Sequence, residues 1–478
     1  MNKHICLALF LIVISLSSSN ACGGGGCGGG GYSCCGGFGY TRATTILDGS
    51  NCGVTPVRNP GESTSEEGSG TESGNKGTCG GDFYADFYGA DSYLRGSIDG
   101  YCGGDINECS CGKNLGPLYW AKVQGRSFER VDTGKIRTYY VAAEEVEWDY
   151  APLGFNAITG NPFTTAEQAF TQRGPNRIGS KYVKCLYREY TSSSFKTLKK
   201  RSQHEEHLGF MGPTFHAEVG DILKIVFYNK CAFEATVHPH GVFYNKDGEG
   251  AIYVDGTSGA DKNDDGVPQG GKHTYVWRVP ERAGPGTHDG SSVMWMYHSH
   301  HHESMDFTTG LVGNMVITRK GMLSEYNLPK DVDKEVFYMF AIMDENGSHF
   351  IDESIKRFVE RPFDLETLKA NGAFRNSNLM NSINGYIFGN APVLKLKKGE
   401  RVRYYIMGMG GFRDLHTPHW QGNVVLLDGL RQNTASLLPA EMVVADMVPD
   451  AEGIWVHHCH VLEHFANGMS TLYQVVDY

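Results

Sequence analysis

The sequence predicts an all-β protein: two tandem Greek-key β-sandwich domains behind a Gly/Cys-rich, low-complexity N-terminal extension. Three observations carry this. From about Gly134 onward, short runs of β-branched and aromatic residues recur between Gly, Asp and Asn turns, and helical periodicity is largely absent. A polar bridge, residues 319–334, divides those runs into two sets. Upstream of them the composition changes: nine of the thirteen cysteines lie between Cys22 and Cys111, among glycines and short polar tracts.

In chain order, residues 1–21 combine a short basic start (Lys3, His4), an apolar run and a small-residue exit, Ser19-Asn20-Ala21. That pattern reads as a cleaved secretory signal, the apolar run being too short to span a bilayer. Cleavage before Cys22, as in a lipoprotein, is a weaker alternative. The expectation is a secreted, soluble protein with no transmembrane segment. Residues 22–115 hold too little aliphatic content for an ordinary core, so a largely disordered, disulfide-stapled extension is expected there. The first domain, residues 116–325, has strand candidates at 136–141, 222–228, 274–279, 293–297 and 311–317. Cys185 and Cys231 lie on or beside its strands, and a disulfide and two buried thiols are equally compatible with their positions. The second domain, residues 326–478, has candidates at 335–342, 401–407, 441–444 and 471–476, with one helix over 364–373. A net charge of −11 argues against a nucleic-acid partner, since phosphate binding needs a basic face.

The chemistry concentrates near the C-terminus, where Cys459, His464 and Met469 supply thiolate, imidazole and thioether within a dozen residues of His457. With His416 from upstream they complete the ligand set of a blue-copper electron-transfer site, two imidazoles and a thiolate with a weak axial methionine. On a strand, residues i and i+2 share a face and i+1 points away. If Cys459 binds one metal, His458 and His460 therefore point to the other side and can hold more. A chance His-Cys-His would be the simpler explanation of the tripeptide alone, but His238/His240, His298/His300 and His416/His419 recur where a second centre needs them.

In order and spacing, His-x-His-Gly at His238, His-x-His at His298, the His416–His419 motif and His-Cys-His-x3-His-x4-Met at His458 resemble the multicopper oxidases. The segments around residues 238–244, 255–261, 279–286 and 343–348 resemble the ceruloplasmin–hephaestin branch, over roughly residues 134–478. The resemblance implies cupredoxin-like domains and about four copper ions per chain. It implies a type 1 copper on His416, Cys459, His464 and Met469. It also implies a trinuclear cluster, with type 2 copper on His238 and His419 and the type 3 pair on His240, His298, His300, His458 and His460. Gln421 stands where an eighth histidine is expected. Three outcomes are open there: substitution by His301, His302 or His457, a lower coordination number, or an incomplete cluster. In the first domain Ser299 replaces the cysteine, so no blue copper is expected there.

The resemblance further implies that dioxygen is reduced to water with electrons from a small reductant, ferrous iron being preferred, so that the chain is expected to be a ferroxidase. Glu463, Glu345 and His349 are the candidate iron-site residues, and Asn346-Gly347-Ser348 beside them is a glycosylation sequon. A laccase-like phenol oxidase and a non-catalytic copper-binding or matrix protein are the alternatives. Since six such domains close a ring in the longer relatives, two per chain imply a homotrimer with intersubunit clusters, against a monomer in which both domains share one cluster.

Overall fold

The computed structural model describes residues 134–361, 364–411 and 414–477. The signal, the extension and the start of the first domain lie outside them. Among the described residues, eighteen strands form four sheets. The first eight are β1 (Ile136–Asp149), β2 (Lys181–Tyr190), β3 (Phe215–Glu218), β4 (Ile222–Asn229), β5 (His238–Pro239), β6 (Lys272–Arg278), β7 (Ser292–His298) and β8 (Val312–Thr318). They make two four-stranded sheets in the orders β2-β1-β4-β6 and β3-β8-β7-β5. The rest are β9 (Lys334–Asp344), β10 (Leu379–Ile383), β11 (Leu394–Lys397), β12 (Val402–Met409), β13 (Pro418–Trp420), β14 (Val425–Leu427), β15 (Leu430–Gln432), β16 (Met442–Met447), β17 (Gly453–Cys459) and β18 (Ser470–Val476). Their sheets run β10-β9-β12-β16-β14-β15 and β11-β18-β17-β13.

The second set repeats the first strand for strand. Each has one parallel pair per sheet, β1/β4 and β3/β8 in the first, β9/β12 and β11/β18 in the second. The addition is the β14–β15 hairpin, whose Asp428-Gly429 loop takes positive φ at both positions, as a two-residue hairpin turn requires. Local patterning explains the pairing. In β4, Leu223, Ile225 and Phe227 are buried while Lys224 faces out, so one face of the strand packs and the other is wetted.

Three details differ from the sequence reading. β2 escapes the pattern because Lys184, Arg188 and Glu189 interrupt its apolar residues. The helix expected over 364–373 is two short ones, Leu365–Ala370 and Gly372–Ser377, because Asn371 is extended and caps the second through Phe374 N–H. The two sandwiches also share a core: Tyr187, Phe215 and Tyr297 of the first lie in one apolar cluster with Met339, Tyr405 and Met407 of the second. Cys185 and Cys231 form a disulfide, with 6.3 Å between their Cα atoms. Cys459 is a free, buried thiol.

Candidate metal centre

Cys459 ends β17 with its side chain on the core face, where it meets His416 and His464. Its Sγ lies 3.9 Å from His416 Nδ1 and 3.6 Å from His464 Nδ1. All three donor atoms fall within 4.8 Å of one another. Met469 is fully buried, and its carbonyl accepts the Cys459 N–H at 3.1 Å, fixing the thioether's strand against the thiol. Donors bonded to a first-row ion at about 2.0–2.3 Å leave about 3.5–4 Å between them, so the triangle fits a metal without rearrangement. Burial pushes the Cys459 thiol up and the His464 imidazole down. The imidazole is thus ready to ligate, and the thiol gives up its proton on metal binding. Thr417 N–H donates to Sγ at 3.3 Å. Asp414 Oδ1 lies 3.3 Å from His416 Nε2 without forming a hydrogen bond to it, and accepts Ile342 N–H at 2.6 Å.

On the opposite face of β17 the antiparallel register sets His458 against His419. His458 Nδ1 donates to the Cys459 carbonyl at 2.9 Å, which leaves Nε2 as a lone-pair donor. That Nε2 is 3.1 Å from His419 Nδ1 and 3.4 Å from Gln421 Nε2. The His460 ring is 5.2 Å from that of His419 and 5.5 Å from that of His458.

The first sandwich builds the same device. β5 and β7 set His238 opposite His298. His298 Nδ1 donates to the Ser299 carbonyl at 3.1 Å, and its Nε2 lies 3.1 Å from His240 Nε2. The His300 ring is 5.0 Å from His238. Burial pushes His238 down to about 4 and His298 down to about 3, so both are neutral bases. Gly241 and Gly422 close the two motifs alike: each has positive φ, and a Cβ would lie 2.3 Å from the ring of Trp295 or Trp455. Among the described residues no hydrogen bond or ring contact joins the histidine set of the first sandwich to that of the second.

The repeat also explains why only the second sandwich has the thiolate triangle. Ser299 N–H bonds Leu311 O as Cys459 N–H bonds Met469 O. Ala235, Ser299, Ser304 and Leu311 thus stand where the second sandwich has His416, Cys459, His464 and Met469. Ser299 Oγ donates to Asp306 at 2.6 Å instead.

Two of the spare imidazoles named for the Gln421 position, His457 and His301, are held elsewhere in this chain. His457 is fully buried between the rings of Tyr338 and Trp420, at 5.0 Å from each. His301 is held by Asp265 O at 2.9 Å and Glu234 at 3.1 Å. His302 packs toward His301 and His349.

A cavity of about 1090 Å³ opens beside His464, with Glu463, Asp344, Glu303 and Asp414 among its walls. Here the expected iron site needs correction. Glu463 lines the cavity, but Glu345 and His349 do not. Glu345 is wholly buried in an ion pair with Lys184 and accepts from Tyr150 OH. His349 pairs with Asp306 at 2.8 Å and stacks on Phe233. Asp344, Glu303 and Asp414 reach the wall instead. Glu303 was findable, since it follows Ser299 by the same interval as Glu463 follows Cys459.

Sandwich, thiolate triangle and paired histidine sets together define a copper protein. The chain belongs to the multicopper oxidase family: models described as multicopper oxidase match residues 194–321 and 360–477. Within that family it is similar to hephaestin of Mus musculus, 39% identical over 75% of this chain and 31% of that one. Ferroxidase HEPHL1 of Homo sapiens is 41% identical over 71% of this chain and 29% of its own length. Ceruloplasmin of Ovis aries is 38% identical over 78% and 35%. The chain spans about a third of the length of these relatives. Among the described residues no helix is long and apolar enough to cross a membrane.

Proposed function

We propose that the chain is a secreted ferroxidase: a multicopper oxidase that takes electrons from ferrous iron and passes them to dioxygen. His416, Cys459, His464 and Met469 would hold type 1 copper. His238 and His419 would hold type 2 copper, and His240, His298, His300, His458 and His460 the type 3 pair, with Gln421 contributing no imidazole. Copper at these positions supplies one-electron oxidation of the substrate and four-electron reduction of dioxygen to water. The chain's own residues bind and orient. Carboxylates at the His464 edge attract a hard divalent cation, and the aromatic core behind Cys459 keeps water from the thiolate.

The observation that carries the substrate is the set of four carboxylates, Glu303, Asp344, Asp414 and Glu463, that line the cavity against His464 among Arg375 and apolar side chains. A phenol oxidase would have no use for four acids at the same edge. Each domain, 116–325 and 326–478, contributes one histidine set, and the lack of contact between the sets favours their meeting across copies. We therefore infer a homotrimer whose head-to-tail contacts complete three clusters.

The test is oxygen uptake by copper-loaded protein given ferrous iron or a simple phenol. Uptake of one dioxygen per about four irons, with slow phenol turnover, supports the reading. Phenol turnover without iron turnover refutes it.

A further inference from the structure

Lys184 is the one lysine among the described residues that is wholly buried, and it sits directly behind the cavity. From the middle of β2, its Nζ donates to the Glu345 carboxylate, to Thr308 O at 2.8 Å and to Tyr150 OH at 3.2 Å. Thr308 belongs to the helix Glu303–Thr309 of the first sandwich, whose first residue lines the cavity with one carboxylate oxygen 3.6 Å from His300 Nε2. Glu345 opens the turn Glu345–Gly347 of the second sandwich, directly after Asp344. Asp344 Oδ1 accepts Asn346 Nδ2 at 2.6 Å and Asn346 N–H at 3.1 Å. Its Oδ2 makes no hydrogen bond among the described residues and is left for the cavity. One ammonium therefore clamps the two segments, from two domains, that carry two of the cavity's acids.

A stability role explains this poorly. The pair is enclosed by apolar rings, with Nζ 5.4 Å from the centre of Phe210. Burial pushes Lys184 down and Glu345 up, against the attraction between them. Replacing such a pair with apolar groups of similar volume is often neutral or stabilising. What the pair supplies is a fixed spacing. A cation bound by carboxylates on separate segments loses affinity if those segments must first be ordered.

We propose that Lys184 and Glu345 are positioning residues, which hold Asp344 and Glu303 at the separation that captures a divalent cation beside His464. This rests on the reading of the cavity as a cation site, and extends it to two residues that never touch the cation.

The experiment titrates cobalt(II) into copper-loaded wild type, Lys184→Met/Glu345→Gln and Asp344→Asn, and follows KM and kcat for ferrous iron in each. The double variant leaves no buried charge. It should keep its blue colour and a kcat within about twofold, but bind cobalt about tenfold more weakly and raise KM to match, the usual loss when a metal site's outer support is removed. Asp344→Asn should weaken cobalt at least as much. Tyr150→Phe, which removes one hydrogen bond to Glu345, should weaken it about threefold and decides the matter if the double variant does not fold. A folded, blue double variant that binds cobalt like wild type overturns the proposal, and so does wild type that binds no cobalt. Wild type that binds cobalt but leaves ferrous iron unoxidised refutes the ferroxidase reading alone, and the cobalt comparison still decides the positioning role.

Discussion

Replacing His207 by Gln should remove a specific part of the protein's acid sensitivity. His207 is the penultimate residue of the 3-10 turn Gln203–Leu208 of the first sandwich and is buried against β9 of the second. Its Nε2 accepts Phe337 N–H at 2.9 Å, so the ring must be neutral to make the contact. Burial pushes it down from 6.5 to about 4, against a hydrogen bond to the His204 backbone and the charge of Glu205, while Lys334 and Arg201 act in the same direction as burial. Because the folded value lies below the unfolded one, the unfolded chain holds the extra proton between pH 6.5 and 4. The contribution is complete above that window and lost as pH falls through it. At about 1.4 kcal/mol per unit, the whole effect is about 3 kcal/mol, of which about 2 kcal/mol is lost by pH 5. Glutamine can accept the same N–H without titrating, at a cost of about 1 kcal/mol at pH 7. Denaturant unfolding of apo protein at pH 7 and pH 5 gives the comparison. His238 and His298 titrate in both proteins and cancel. The variant should lose about 2 kcal/mol less than wild type between the two pH values. Equal losses would refute the reasoning.

Ser299→Cys should not create a second blue copper, since Ala235, Ser304 and Leu311 supply no further ligand; absorbance in the blue-copper band per chain should stay at the wild-type level. Gly422→Ala drives a Cβ to 2.3 Å from the Trp455 ring at φ +79. It should destabilise by about 1–3 kcal/mol in denaturant unfolding and shift Gln421 beside it.

What was legible in the sequence was what depends on local order. The thiolate triangle could be read because three of its four ligands lie in one short stretch: the end of β17, the helix Leu462–Ala466 and the residue before β18. The alternation of a strand alone separates His458 and His460 from Cys459. The sandwiches were visible from runs such as β4 and β8, whose apolar faces are uninterrupted. β2 was missed because its buried Lys184 looks like a surface residue until Glu345, far along the chain, is seen against it. The same pairing removed Glu345 from the cavity, and Asp306 removed His349. Both looked available because sequence proximity to a motif says nothing about which partner a side chain has already taken. Asp344 ends β9 and Glu345 opens the turn Glu345–Gly347, and of the two only Asp344 lines the cavity.

The central claim is that copper binds both at Cys459 and at a cluster built from two histidine sets that do not meet within one chain. Copper per chain measured together with solution mass, on the same copper-loaded sample, tests it most directly. The account predicts about four coppers per chain in a species of three chains, with Cys459→Ser lowering the count by about one. One copper per chain in a monomer would contradict it.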